Sequence, residues 1–176
     1  MKMDSLGNRL WTVTYNGPES LVDMSRDLLL SRGNVYVAGF SVYKEMGENQ
    51  GIALVKYDSL GNQQWANRYG AVGDTDADVG YANFDNTPNF HSISAGDSGD
   101  VYLTGYCLPY KMDAVGILLR YDPQGNLISV RQLSTTGERW FGATVFFGSA
   151  GVPYETGIHV RDDGHVEIFV AKFLGR

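Results

Sequence analysis

The chain has 176 residues, 43% of them hydrophobic, which is enough for one domain with a real core and too apolar for a disordered polar segment. Its formal charge of −6 and pI of about 4.9 argue against a nucleic-acid surface, which needs clustered Lys and Arg. No apolar run approaches the roughly 20 residues that span a bilayer, no apolar signal region follows Met1, and a lone Cys107 excludes an internal disulfide and a cysteine zinc site.

In chain order, "MDSLGNRLW" (residues 3–11) leads into an expected outer strand over residues 10–15. "DLLLS" (27–31), "VYVAGF" (35–40), "IALVKY" (52–57) and "QWANRY" (64–69) follow as four short runs, aliphatic and aromatic, with Gly, Asn and Asp between them. A long acidic connection separates Tyr69 from Phe90. Then "GDVYLTGY" (99–106), "YDPQGNLIS" (121–129), "GVPYETGI" (151–158) and "EIFVAKF" (167–173) repeat the earlier phrases. Runs that are almost continuously apolar predict strands covered on both faces.

Two phrases recur in step. Lys2, Lys56, Arg120 and Lys172 stand at intervals of 54, 64 and 52 residues. "GNVYVAGF", "GDVYLTGY" and "GVPYETGI" share G-x-x-Y-x-[A/T]-G, and the last two are also 52 residues apart. Four strands per fifty-odd residues, repeated and covered on both faces, predict an all-β chain of antiparallel four-stranded blades, a β-propeller segment of three repeats. The repeats run about 1–56, 57–120 and 121–176 as one segment, with an insertion at about 71–89. "YDSLGNQQW" (57–65) reads as a hairpin between third and fourth strands. Asp58 caps an Asx-turn, Gly61 takes φ > 0, and Trp65, like Trp11, begins an outer strand and covers its edge. The third copy has Ser129 in that place.

The strings "ALVKYDSLGNQQWANRYG", "GNVYVAGFS" and "LWTVTYNGP" resemble the bacterial seven-bladed β-propeller type repeat, and "EIFVAKF" looks like its third strand. The resemblance covers nearly the whole chain. It implies blades of a large bacterial secreted or surface protein, and it supplies no standard catalytic residues. The chain departs from it in having three repeats and an insertion in the second.

The expected strand count is one, then four, four and three, so the last blade lacks an outer strand and the N-terminus carries a spare. Three arrangements fit: an arc of a longer propeller, two chains donating N-terminal strands reciprocally into a six-bladed ring, or an open arc. The partners expected are therefore further blades or a second copy, with neither nucleic acid nor membrane insertion.

Asp74, Asp76, Asp78 and Asp85 fall at positions 1, 3, 5 and 12 of a calcium-loop template, so calcium is the one cofactor the spacing suggests. The plain alternative is a solvated acidic insertion, because Gly80 stands at position 7 rather than 6 and position 12 is Asp rather than Glu. A loop face would gather Tyr43, Lys44, Tyr110, Lys111, Trp140, Arg161 and His165, a mixture of rings and charges that suits a carbohydrate or peptide ligand or nothing beyond a polar surface. His159 and His165 flank the "DDG" turn and are placed to approach one another. No nucleophile-elbow, zincin or phosphate-loop motif is present. The recurring Lys/Arg slot reads as a structural cation with its stem along the blade and its head in water. The expected role is a non-catalytic structural or binding module, extracellular or on the cell surface. The alternative is a carbohydrate-active or lyase-like enzyme working on the loop face.

Overall fold

A computed structural model describes residues 1–42, 50–70, 75–79, 92–109, 113–148 and 151–173. Among these the chain is all-β, with no helix and four antiparallel sheets. An N-terminal hairpin joins β1 (Lys2–Met3) to β2 (Arg9–Trp11). The first full sheet orders β3 (Asp23–Ser31), β4 (Asn34–Val42), β5 (Gln50–Tyr57) and β6 (Gln63–Tyr69). The second sheet has β9 (Val101–Pro109), β10 (Val115–Tyr121) and β11 (Leu127–Leu133), with β7 (Thr75–Val79) and β8 (Ile93–Ala95) both on the free side of β9. The third sheet orders β12 (Arg139–Phe147), β13 (Pro153–Val160) and β14 (Val166–Lys172).

The turns form for local reasons. Oδ1 of Asp58 accepts the backbone N–H groups of Leu60 and Asn62, both at 2.9 Å, and Gly61 takes φ +90°. Asp4 repeats this network with Leu6 and Asn8, and Asp122 repeats its Asn bonds with Asn126. These hydrogen bonds hold the three carboxyls below the usual range, in each case mainly through the Asn side chain. Between β3 and β4 the chain turns on Arg32 (φ 50°) and Gly33 (φ 76°), the two positive-φ residues of a tight hairpin loop.

Cross-strand register explains why two phrases recur in step. Tyr36 stands opposite Lys56, Tyr102 opposite Arg120, and Tyr154 opposite Lys172. Each cation lies 5.5–5.8 Å from its ring centroid, so the two phrases form one contact. The Lys heads do not simply reach water, as the sequence suggests. Lys56 Nζ donates to the Pro123 carbonyl at 2.8 Å and Lys2 Nζ to the Ser59 carbonyl at 3.2 Å, each in the turn of the next sheet. Trp65 and Trp11 donate their indole N–H to the same two carbonyls, at 3.2 Å each. Their rings lie on the turn glycines: a Cβ on Gly125 would stand 2.8 Å from Trp65, and one on Gly61 2.9 Å from Trp11. The outer-strand tryptophans therefore dock one sheet to the next.

Two inner strands carry a bulge at the same place. The β3–β4 register shifts between Ser25 and Asp27, and the β12–β13 register between Gly142 and Thr144. The glycine opposite each bulge, Gly39 or Gly157, has no room for a Cβ because the Met24 or Phe141 carbonyl lies over it. In the second sheet Gly105 pairs with Val79, and the next residue on β9, Thr104, donates its N–H to the Ser92 carbonyl at 2.9 Å. Within the expected insertion at 71–89, residues 75–79 form a strand paired to β9, and residues 71–74 and 80–89 lie outside the described residues. The strand count also differs at the N-terminus: β1 pairs with β2, and β2 stops at Trp11 rather than running to residue 15.

The sheets stack face to face. One core cluster joins Tyr36, Ala38, Ile52 and Leu54 of the first sheet to Val101, Leu103, Ile117 and Leu119 of the second. Burying each large aliphatic side chain there contributes about 1.5–3 kcal/mol. β12 packs on β8, β9 and β10, which seats the third sheet on the second.

Candidate functional site

The strand order sends two kinds of connection to one end of the stack: those between second and third strands, and those between one sheet and the next. Of the loop-face residues expected from sequence, Trp140, Arg161 and His165 are placed at this end. Tyr43, Lys44, Tyr110 and Lys111 lie outside the described residues.

Trp140 on β12 pairs in register with His159 on β13, which pairs with Glu167 on β14. A row of three side chains therefore crosses the third sheet. The Trp140 and His159 rings stack at 3.8 Å with an interplanar angle of 17°, and Phe169 meets Trp140 edge-on at 5.2 Å. Glu138, which precedes β12, brings Oε2 to 3.0 Å from His159 Nε2, and Glu167 Oε2 lies 3.6 Å from Nδ1. The imidazole is thus held between two carboxylates and against an indole, its side chain only 12% exposed. The Trp140 backbone N–H donates to the Ala114 carbonyl at 2.8 Å, tying the row to the second sheet.

Arg161 lies 3.4 Å from Glu167 and 3.8 Å from Asp163, with all three side chains about half exposed, a geometry of small energetic weight. His165 turns to Asp163, its Nδ1 at 2.9 Å from Oδ1. Its backbone N–H, and then its ring, hold the Asp163 carboxyl below the usual range. The two histidines of this turn therefore face different carboxylates. What the row offers chemically is an aromatic surface bordered by acidic groups, suited to hydrogen-bonding and cationic parts of a ligand.

Asp76 and Asp78 stand on β7 opposite Leu108 and Tyr106, where the backbone is extended and paired. Asp74 and Asp85 lie outside the described residues. Among the described residues no three His, Cys, Asp or Glu side chains are grouped to hold a metal ion. Burial pushes the Cys107 thiol up to about 11, leaving it a small apolar filler.

No family model matches this sequence, and no curated protein matches it.

One buried acid was not singled out from the sequence. Glu155 on β13 is 0% exposed, and its Oε1 accepts a hydrogen bond from the Thr104 hydroxyl of the second sheet. Its Oε2 has no hydrogen-bond partner among the described residues. Burial pushes its carboxyl up to about 8, against a smaller opposing effect of Thr104, so near neutral pH it is mostly protonated. Gly142 makes the space, since a Cβ there would overlap both Thr104 and Glu155. The sequence does carry a signal: the residue after the repeated Tyr is Val37, then Leu103, then Glu155.

Proposed function

We propose that this chain is a non-catalytic β-propeller segment, a structural or ligand-binding module of a bacterial secreted or surface protein. The observation that carries the reading is the repeated docking of one sheet on the next. Lys2 and Trp11 hold the Ser59 carbonyl as Lys56 and Trp65 hold the Pro123 carbonyl. A constant contact gives a constant step from sheet to sheet, and a constant rotation about one axis builds a ring of blades. Of the recurring residues, Lys2, Trp11, Lys56 and Trp65 are occupied in this docking and Arg120 is paired with Asp100 of its own sheet, which leaves ligand recognition to residues that differ between copies. Those at the loop end of the third sheet, Glu138, Trp140 and His159, are the binding surface. Carbohydrate or extended peptide fits such an aromatic surface with acidic borders.

An acid–base enzyme would use His159, but both its ring nitrogens face carboxylates and one ring face lies on Trp140. This favours a positioned, structural imidazole. Calorimetric titration with a panel of neutral and acidic oligosaccharides and extended peptides tests the reading. Saturable heat that Trp140→Ala abolishes is expected. Glycoside or uronide turnover lost in His159→Ala would replace it with the enzyme.

A further inference from the structure

A groove of about 1110 Å³ lies at one outer face of the stack. One wall is the N-terminal hairpin and the chain after it, including Val13 and Tyr15; the other is the outer face of the first sheet, including the half-buried Val35 and Val37 and the buried Val55. Relative to that sheet, the hairpin sits where the outer edge of a preceding sheet belongs, because Lys2 and Trp11 grip its turn as Lys56 and Trp65 grip the next one. The groove is the position of that preceding sheet's inner strands. Among the described residues, the third sheet has three strands and no fourth.

We infer that the groove of one copy of this chain receives the β12–β14 sheet of a second copy. The repeat register fixes the fit. Lys172 matches Lys56, so Ile168 and Val170 match Ile52 and Leu54. Ile168 is 84% and Val170 67% exposed, whereas Ile52 and Leu54 are 1% and 0% exposed beneath the second sheet. Val35, Val37, Ala53 and Val55 on the groove side match Val101, Leu103, Ile117 and Leu119, all four at 0% exposure. Docking therefore reproduces the interface already present between the first and second sheets. The chain after β2 supplies a strand for the β14 edge. β5 pairs Ile52 with Tyr69, Leu54 with Asn67 and Lys56 with Trp65, so β14 pairs Ile168 with Tyr15 and Val170 with Val13 of the other copy, and Lys172 takes over from Lys2 the place opposite Trp11 that Lys2 holds in the free chain. Two copies docked reciprocally form a closed pair with two such interfaces and no unpaired β14 edge.

The test uses the 176-residue chain. Light scattering coupled to gel filtration should give twice the chain mass of 19.4 kDa. In a Cys107→Ala background, the double variant Val13→Cys with Val170→Cys should form an intermolecular disulfide on mild oxidation, giving a covalent dimer in denaturing gels. Neither single variant should do so across this register. Ile168→Asp places a charge on an exposed position of the free chain. It should halve the mass in solution while leaving the far-ultraviolet circular dichroism unchanged. A parent chain of single mass overturns the inference, as does a mass that climbs without limit with concentration. So does a dimer that survives Ile168→Asp without cross-linking.

Discussion

Glu155 makes stability depend on pH in a direction opposite to most carboxylates. Its folded value, about 8, lies above the ordinary 4.5, so the folded state keeps a proton that the unfolded chain releases. Stability is therefore fully present below about pH 4.5, declines as pH rises, and levels off above about pH 8. At about 1.4 kcal/mol per unit, the decline reaches about 3 kcal/mol by pH 7 and about 5 kcal/mol at its end. Glu155→Gln keeps the shape and an amide N–H₂ or C=O for Thr104 but cannot ionise. Urea unfolding of parent and variant at several pH values between about 4 and 9 gives the difference directly. The Asp turns, whose depressed values act at lower pH, are common to both chains and cancel. The stability of Glu155→Gln relative to the parent should rise by several kcal/mol from about pH 5 to 8. A flat difference across that range would refute the claim that the carboxyl is buried and protonated between the sheets. Glu155→Leu, which restores the residue type at Leu103, should stabilise the protein at neutral pH by about 2 kcal/mol or more.

The turn glycines separate local strain from docking. Gly7→Ala meets only a positive φ, with nothing within 4 Å, and should cost about 1 kcal/mol in thermal or urea unfolding. Gly125→Ala carries the same strain plus a methyl 2.8 Å from Trp65, and should cost about 2–4 kcal/mol. Val79 and Ser92 meet adjacent residues of β9, Gly105 and Thr104, so replacing residues 80–91 with a single alanine should leave a folded, cooperative chain; loss of the unfolding transition would show that the segment is needed for the sheet. If the aspartates around residues 74–85 hold calcium, millimolar Ca²⁺ should raise the melting temperature by several degrees, an increase that Asp74→Asn with Asp85→Asn removes. No change on adding Ca²⁺ would leave those aspartates a solvated acidic segment.

The period, the strand pairs and the turns were legible because they are local. Asp58, Leu60, Gly61 and Asn62 lie within five residues, and an Asx-turn needs little beyond them. Alternation between apolar runs and Gly/Asn/Asp clusters marked the strands for the same reason. What joins the sheets was not legible. Lys56 and Trp65 reach a carbonyl in residue 123, 67 and 58 positions away, and a backbone carbonyl leaves no trace in residue type. That residues 75–79 pair with β9 was not legible either, because a pairing is defined only by the strand opposite. Trp140 was singled out as a loop-face ring, but its stack on His159 needs β12 and β13 side by side. The sequence by itself determined the repeated antiparallel strands and their turns, through contacts a few residues apart. Only the tertiary structure decided which side chains meet between sheets, and that Glu155 stands fully buried where its two counterparts are apolar.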